Sequence, residues 1–325
     1  MASDPLTDIV RALDLSGGVF LDAEFNAPWA ITSRVTEDDC RPFMPMPEQV
    51  VAYHVVTEGE LIVSLDGQTA HPGQMRAKSG DVIILPQNAL CVLASAPGLP
   101  LANADDLLLP PTETSLARIR HGGSGARCRV LCGFIASNGG PSPLLSSLPP
   151  LLIIALEDLA ALQWIEASIA MAARELAAGR LTSRAVVSRL SELLLIEALR
   201  TYLEGTPHPG GWLAGMADPK IARALARIHA DLAIAPPVTE LAHAAGMSRS
   251  SFVARFGKVM GIGPQRYLVT QRMLAARSLL EETGLSLAEV AHRVGYDAPE
   301  AFSRAFKRET GEAPAEWRRS ATSGP

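Results

Sequence analysis

The chain has 325 residues, 48% of them hydrophobic, with 29 Lys+Arg against 34 Asp+Glu and a formal net charge of −5. A chain this long and this apolar can bury two cores, which excludes a disordered or fibrous protein. Four cysteines (Cys40, Cys91, Cys128 and Cys132) are too few for a disulfide framework at this length, and Asp4, Asp8 and Asp14 interrupt the start where a secretory leader would be apolar. The most apolar run, 144–156, contains Pro149-Pro150 and is too short to span a bilayer, so a cytoplasmic protein with no membrane partner is expected.

Short β-rich runs alternate with Gly, Pro and Asn turns from about residue 19 to 135. They are 19–25, 50–56, 60–65, 81–85, 91–94, 116–120 and 128–134. Many short strands with regular turn signals predict a barrel or jelly roll. Gly59 and Gly67 bracket one hairpin strand, while Gly80-Asp81 opens another that Pro86 closes.

Thr57-Glu58-Gly59-Glu60 resembles the end of the first cupin motif. Gly80, Pro86 and Cys91 resemble the second. Over roughly residues 15–137 the chain is similar to the cupin-type sensor domains attached to AraC-type regulators, with Ala27-Pro28-Trp29, Tyr53-His54, His121-Gly122-Gly123 and Leu131-Cys132-Gly133 as further details. The metal set that this resemblance implies for cupin enzymes is mostly missing. The glutamate position holds Ala52, no paired histidines stand in 43–47, and the second-motif histidine position holds Cys91. An open-site metal needs several N/O ligands, which counts against an oxygenase or isomerase. His54, Cys91, His121 and Cys132 would together suit tetrahedral zinc. Against that stands a plain core role, with cysteines buried in the barrel and His54 hydrogen-bonded within it. A small organic effector in the barrel mouth is the third reading.

Leu148-Pro149-Pro150 is expected to open a helical region. A helix over 157–178 stops at Gly179, and another over 182–202 carries Val186, Val187, Leu190, Leu193, Leu194 and Leu199 in a broad stripe. The two could form an antiparallel pair that makes a homodimer, or could pack only on the barrel. Residues 205–216, rich in Gly and Pro, read as a hinge.

The C-terminal part contains one unit twice. Leu241-Ala-His-Ala-Ala-Gly246 returns as Val290-Ala-His-Arg-Val-Gly295, an offset of 49 residues. Each glycine is followed by two phenylalanines (Phe252 and Phe256; Phe302 and Phe306), a glycine (Gly261; Gly311), a proline (Pro264; Pro314) and an aromatic (Tyr267; Trp317). Repetition at fixed offset marks one supersecondary unit used twice, and helix, Gly turn, helix is a helix-turn-helix. Thr239 is expected to cap the first short helix, Ser248 the next, and Ser286 the corresponding helix of the second copy. Phenylalanines four apart share one buried face, leaving Arg249, Ser250, Ser251 and Arg255, and likewise Glu300, Arg304 and Lys307, on the other. A helix over 265–282 joins the units on the length scale of a DNA turn.

Residues 217–320 resemble the DNA-binding domain of AraC/XylS-type transcriptional regulators. The second copy carries the signature: Ala288-Glu289-Val290-Ala291, Gly295-Tyr296, Phe302, Phe306-Lys307-Arg308, Gly311, Pro314 and Trp317-Arg318. By position the resemblance puts Ser250, Val253 and Ala254 of the first unit, and Pro299, Glu300 and Arg304 of the second, at the DNA bases. Ala254 stands where an arginine is common, and Arg255 where a small apolar residue is common. Arg249, Arg255 and Lys307 read as phosphate contacts.

The charge divides in agreement. Residues 217–320 hold 15 Lys+Arg against 11 Asp+Glu, net +4, and the remainder holds 14 against 23, net −9. Basic charge thus concentrates where phosphates would be met. The fold expected is α+β multidomain: a cupin-like jelly-roll barrel (1–140), a helical dimerisation region (141–216) and an all-α double helix-turn-helix (217–320, units near 236–260 and 286–310). The function expected is a non-enzymatic transcription regulator whose partners are double-stranded DNA, RNA polymerase, a small effector and a second copy. The rivals are a metal- or redox-responsive regulator using His54, Cys91 and Cys132, and a cupin metalloenzyme with a regulatory helical tail.

Overall fold

The computed structural model describes residues 5–12, 15–41, 46–47, 49–65, 74–109, 117–137, 142–155, 182–205, 210–282 and 284–322. The chain divides into two compact units, one of Leu15–Asn138 and Leu148–Tyr202, the other of Met1–Asp14, Gly139–Ser147 and Leu203–Pro325.

The first unit is built from eleven described strands: β1 (Leu15–Asn26), β2 (Ala30–Ser33), β3 (Gln49–Glu58), β4 (Glu60–Leu65), β5 (Met75–Lys78), β6 (Asp81–Leu85), β7 (Cys91–Ala94), β8 (Ala102–Asn103), β9 (Ala117–Gly122), β10 (Arg127–Ser137) and β11 (Leu152–Ala155). They form a six-stranded sheet, β11-β6-β3-β10-β1-β9, and a five-stranded sheet, β5-β4-β7-β2-β8. Alternation puts Val50, Ala52, His54 and Val56 of β3 on the same inner face as Cys128, Val130, Cys132, Phe134 and Ala136 of β10. Leu61, Val63, Cys91 and Leu93 come from the other sheet to the same core. The seven strands expected from sequence coincide with β1, β3, β4, β6, β7, β9 and β10. Gly59 turns β3 into β4 at φ +78°, and a Cβ there would overlap the Arg127 carbonyl.

Residues 152–155 depart from expectation, since they pair antiparallel with β6 instead of opening a helix. Pro149-Pro150 bars helix just upstream, and the run Leu151 to Ile154 caps an otherwise bare apolar edge. The helix expected over 157–178 lies outside the described residues. Helix α4 (Thr182–Gly205, with α1 to α3 given below) buries Leu194, Leu195, Ile196, Ala198 and Leu199 but leaves Leu193 52% exposed. The expected stripe therefore excludes Leu193. Among the described residues no helix is long and apolar enough to cross a membrane.

Among the described residues, buried polar side chains in this core are few. His54 is 2% exposed and its Nδ1 lies 3.1 Å from Cys132 Sγ. Burial pushes its pKa down to about 4, so the ring is neutral. Helix α2 (Glu37–Cys40) stands beside the barrel strands with a capping box formed by Thr36 and Asp39.

The second unit is helical: α5 (Gly211–Ala217), α6 (Pro219–Ala230), α7 (Val238–Ala244), α8 (Arg249–Met260), α9 (Pro264–Glu282), α10 (Leu287–Arg293), α11 (Pro299–Thr310) and α12 (Pro314–Thr322). Two short segments from earlier in the chain join it. Helix α1 (Pro5–Ala12) packs on α6 with Leu6 and Val10 buried, and α3 (Pro143–Ser147) packs on α5. Residues 211–217 thus form a helix and not the expected hinge. The reason is Trp212, which is buried and donates through Nε1 to the Tyr267 hydroxyl at 2.8 Å. That hydroxyl lies 2.7 Å from His229 Nε2, and burial holds His229 near pKa 4, so the neutral ring can accept from it.

The two copies repeat in atomic detail. Gly246 and Gly295 adopt φ +64° and +80°. Met247 N donates to Ala242 O at 2.9 Å, as Tyr296 N does to Ala291 O at 2.9 Å. Ring centroids are 5.5 Å apart for Phe252–Phe256 and 5.6 Å for Phe302–Phe306. Each pair then meets the third aromatic, Phe256–Tyr267 at 5.7 Å and Phe306–Trp317 at 6.0 Å. Ser248 caps α8 and Ser286 caps α10 as expected. Thr239 does not cap α7, which begins one residue earlier behind Pro237.

The two turn glycines are not equivalent. A Cβ at Gly246 would meet nothing within 4 Å, whereas one at Gly295 would lie 2.5 Å from Arg272 Nη2 and 2.6 Å from Ala233 O. Gly246→Ala should therefore cost only the left-handed backbone penalty, about 1–2 kcal/mol. Gly295→Ala should cost more, because a backbone carbonyl must also move. Denaturant titration of the two variants checks this ordering. Both buried histidines fold neutral with pKa near 4 against 6.5 for an ordinary histidine. Unfolded chain therefore binds the extra protons, so stability is held above pH 6.5 and falls as pH drops toward 4, by about 1.4 kcal/mol per unit for each histidine. Titrations at pH 7, 5.5 and 4.5 should show this slope, and His229→Gln should flatten it for the helical unit.

Candidate nucleic-acid interface

Each second helix of a unit, α8 and α11, buries one face and shows the other. In α8 Phe252, Phe256 and Met260 are buried, while Arg249, Ser250, Ser251, Val253, Ala254, Arg255 and Lys258 are exposed. In α11 Phe302, Ala305 and Phe306 are buried, while Glu300, Arg304 and Lys307 are exposed at i, i+4, i+7 spacing on one stripe. Pro299 is half-buried as the first helical residue. The sequence-singled residues of each helix are therefore solvent-accessible, apart from Pro299, which is half-buried.

Their engagements differ. Ser248 Oγ caps the Ser251 amide at 3.3 Å, donates to Ser251 Oγ at 2.9 Å and lies 3.3 Å from Ser250 Oγ, so the start of α8 is a hydroxyl cluster. Arg255 is committed inward. Its Nε and Nη2 both reach Asp218 Oδ2 at 2.7 Å. Burial works against the Asp218 carboxylate, but hydrogen bonds from Arg255, Ile221 and Lys220 outweigh it and hold the group below its ordinary range. Arg304 and Lys307 have no ion-pair partner among the described residues. The side-chain capping seen at α8 and α10 is absent at α11, whose cap position is Ala298.

Helix α9 holds the two units together. Arg272 donates from Nε to Leu232 O at 2.8 Å and from Nη2 to Ala233 O at 3.1 Å, and its guanidinium stands 5.7 Å from the Tyr296 ring centroid. One side chain thus joins the loop before the first unit to the turn of the second. Arg266 pairs with Glu309 of α11 at 2.6 Å, and Arg277 lies 4.2 Å over the Trp317 ring. Sequence reasoning missed Arg272 and Asp218. The Asp-Pro start of α6 was a legible cap signal. Nothing in the sequence announces that Arg272 turns inward.

The zinc reading is corrected. Among the described residues no three His, Cys, Asp or Glu side chains converge as a metal set. Only His54 and Cys132 are brought into contact, while Cys91 donates to Ser33 O at 3.4 Å and His121 stands at the end of β9, beside Phe25 on β1. The redox reading finds no support either. Burial pushes the Cys91 and Cys128 thiols up to about 12 and Cys132 higher still, which disfavours the thiolate at each of the three. The metalloenzyme reading finds no support at Ala52, which is buried at the inner position where the cupin resemblance implies a carboxylate ligand.

Two family models match the chain: Cupin over residues 4–204 and Helix-turn-helix domain over 241–320. A protein of Streptomyces antibioticus described as an AraC-like transcription regulator is 31% identical over 97% of this chain and 98% of its own length. A counterpart of Streptomyces lividans is 30% identical over 98% and 99%. The DNA-binding domain of AdpA, solved with a target DNA, is 41% identical, covers 26% of this chain and 77% of that chain, and superposes with a TM-score of 0.26. With a cupin model covering most of the barrel half, a helix-turn-helix model covering the duplicated tail, and full-length relatives of that description, the chain belongs to the AraC-like transcription regulators, DNA-binding proteins that join a cupin domain to a double helix-turn-helix.

Proposed function

We propose that both recognition helices enter the major groove of one duplex, with Arg304 and Glu300 reading bases and Lys307 and Arg249 holding phosphates. The observation that carries this is the outward stripe of α11, where Arg304 and Lys307 have no ion-pair partner among the described residues while the opposite face is locked by Phe302 and Phe306. Arginine can bond guanine O6 and N7, and glutamate can accept from cytosine N4. The 19-residue helix α9 spans about 28 Å, the scale of one DNA turn of about 34 Å. Arg255, tied to Asp218, braces α8 against α6 and does not serve the phosphates.

In this reading the barrel is a sensing domain and not a catalyst. A small organic effector in the barrel shifts the population of conformers in which the DNA helices are presented. Helix α4, with Leu193 outward, supplies a pairing surface for a second copy, and RNA polymerase is the partner through which promoter occupancy becomes transcription. Thermal denaturation against a metabolite panel, with and without DNA, tests the effector.

Selection of bound duplexes from a random pool, followed by fluorescence anisotropy, tests the DNA assignment. Arg304→Ala should cost about 1–3 kcal/mol on the selected site and relax preference at one base pair, whereas Lys307→Ala should weaken all sequences alike and lower the salt slope by about 1. Equal loss on every sequence for Arg304→Ala overturns its base-reading role.

A further inference from the structure

We propose that the barrel unit carries a site for a small uncharged molecule on the outer face of its five-stranded sheet, under the loop Ser95–Leu101, with the Ser64 hydroxyl as polar anchor. The site lies wholly outside the barrel interior, so it stands whether or not an effector enters there.

Strand parity builds the floor. Ile31, Leu61, Val63, Cys91 and Leu93 point into the barrel core. Their neighbours Ala30, Ile62, Ser64, Val92 and Ala94 therefore point the opposite way. Ile62 pairs with Ala94 and Ser64 with Val92, while Ala94 pairs on its other side with Ala30, so the five form one continuous patch. The outer face of a sheet is ordinarily polar and wet, yet none of these five is more than 8% exposed.

The loop after β7 supplies the roof. Its root is fixed where Ser95 Oγ accepts from the Trp29 amide at 3.0 Å and the Ser95 amide donates to Trp29 O at 2.9 Å. Pro97-Gly98, with Gly98 at φ +74°, turns the chain, and Leu99 comes back onto Ala30, Val92 and Ala94. Floor and roof enclose a cleft of about 260 Å³, part of it open to solvent. Pockets for drug-sized ligands measure roughly 300–1,000 Å³, so this cleft takes only a ligand of a few heavy atoms.

Ser64 separates this cleft from a plain apolar cluster under a loop. It is 4% exposed and lines the cleft, and its hydroxyl has no hydrogen-bond partner among the described residues. A buried hydroxyl left unpaired lowers stability, and an apolar residue would fill the same place without that cost. A hydroxyl can both donate and accept. No Lys, Arg, His, Asp or Glu lines the cleft, so a charged ligand would lose its hydration without compensation. The chemistry that fits is a short alcohol or ketone: an apolar body against Ile62 and Leu99, and one oxygen at Ser64.

The test follows trifluorobutanol by fluorine NMR with the full chain. It should bind with a dissociation constant in about the millimolar range, as so few atoms allow. Butanol and butanone should displace it, while butyrate and butylammonium should not. Methyl signals of Ile62 and Leu99 should move, and those of Ile83 and Leu93 inside the barrel should stay. Ser64→Ala should weaken binding about two- to ten-fold, the worth of one neutral hydrogen bond. Ala94→Leu should fill the cleft and abolish binding, with circular dichroism confirming the fold of both variants. If Ala94→Leu does not fold, Ser64→Ala decides alone. Unchanged binding by Ser64→Ala, equal displacement by the charged analogues, shifts confined to Ile83 and Leu93, or no binding at all would each overturn the site.

Discussion

The helical unit depends on one repeated contact, a steeply inclined pair of phenylalanines closed by a third aromatic ring. Phe252 and Phe256 meet Tyr267, and Phe302 and Phe306 meet Trp317, with centroid spacings between 5.5 and 6.0 Å. A phenylalanine pair four residues apart fixes which side of a twelve-residue helix is buried, and so which side is offered to a partner. The turn glycines and serine caps set where each helix begins. The aromatic triplet sets its roll about its own axis, and that roll decides which side chains can reach a base.

A second constraint acts between the copies. Arg272 bonds two backbone carbonyls ahead of the first unit and packs against the turn of the second, so that Gly295 has no room for a side chain. Arg266 and Arg277 add further ties from the same helix to α11 and α12. Three arginines of the connecting helix are thereby spent inside the domain, which is why a mildly basic segment shows less free positive charge than its composition implies. Among the described residues the exposed cations without an ion-pair partner on the two recognition helices are Arg249 and Lys258 of α8 and Arg304 and Lys307 of α11.

Much of this was legible in the sequence. The 49-residue offset, the paired phenylalanines and the Ser-capped starts gave both helix-turn-helix units nearly residue by residue, because each feature is local and periodic. Seven of the described strands were equally plain. The four that were not, β2, β5, β8 and β11, are two to four residues long and owe their pairing to neighbours far away in sequence. The hinge expected over 205–216 failed at Trp212, whose partner is 55 residues on. The zinc set found no support because residue type and strand parity can place side chains of two sheets toward one interior without bringing them to one point. On the recognition helices exposure followed the expected periodicity, but Arg255 pairs with a residue 37 positions earlier, which no pattern within its own helix could reveal.

The helical unit is stitched from three separated stretches of chain. Leu6 and Val10 of the opening helix rest on α6, and α3 rests on α5, although both belong by sequence to the barrel half. A fragment cut before the duplicated tail would consequently strip an apolar strip of α6 to solvent and begin life sticky. Grafting this tail onto a foreign sensor means bringing the amino-terminal helix along, or redesigning the flank it shields.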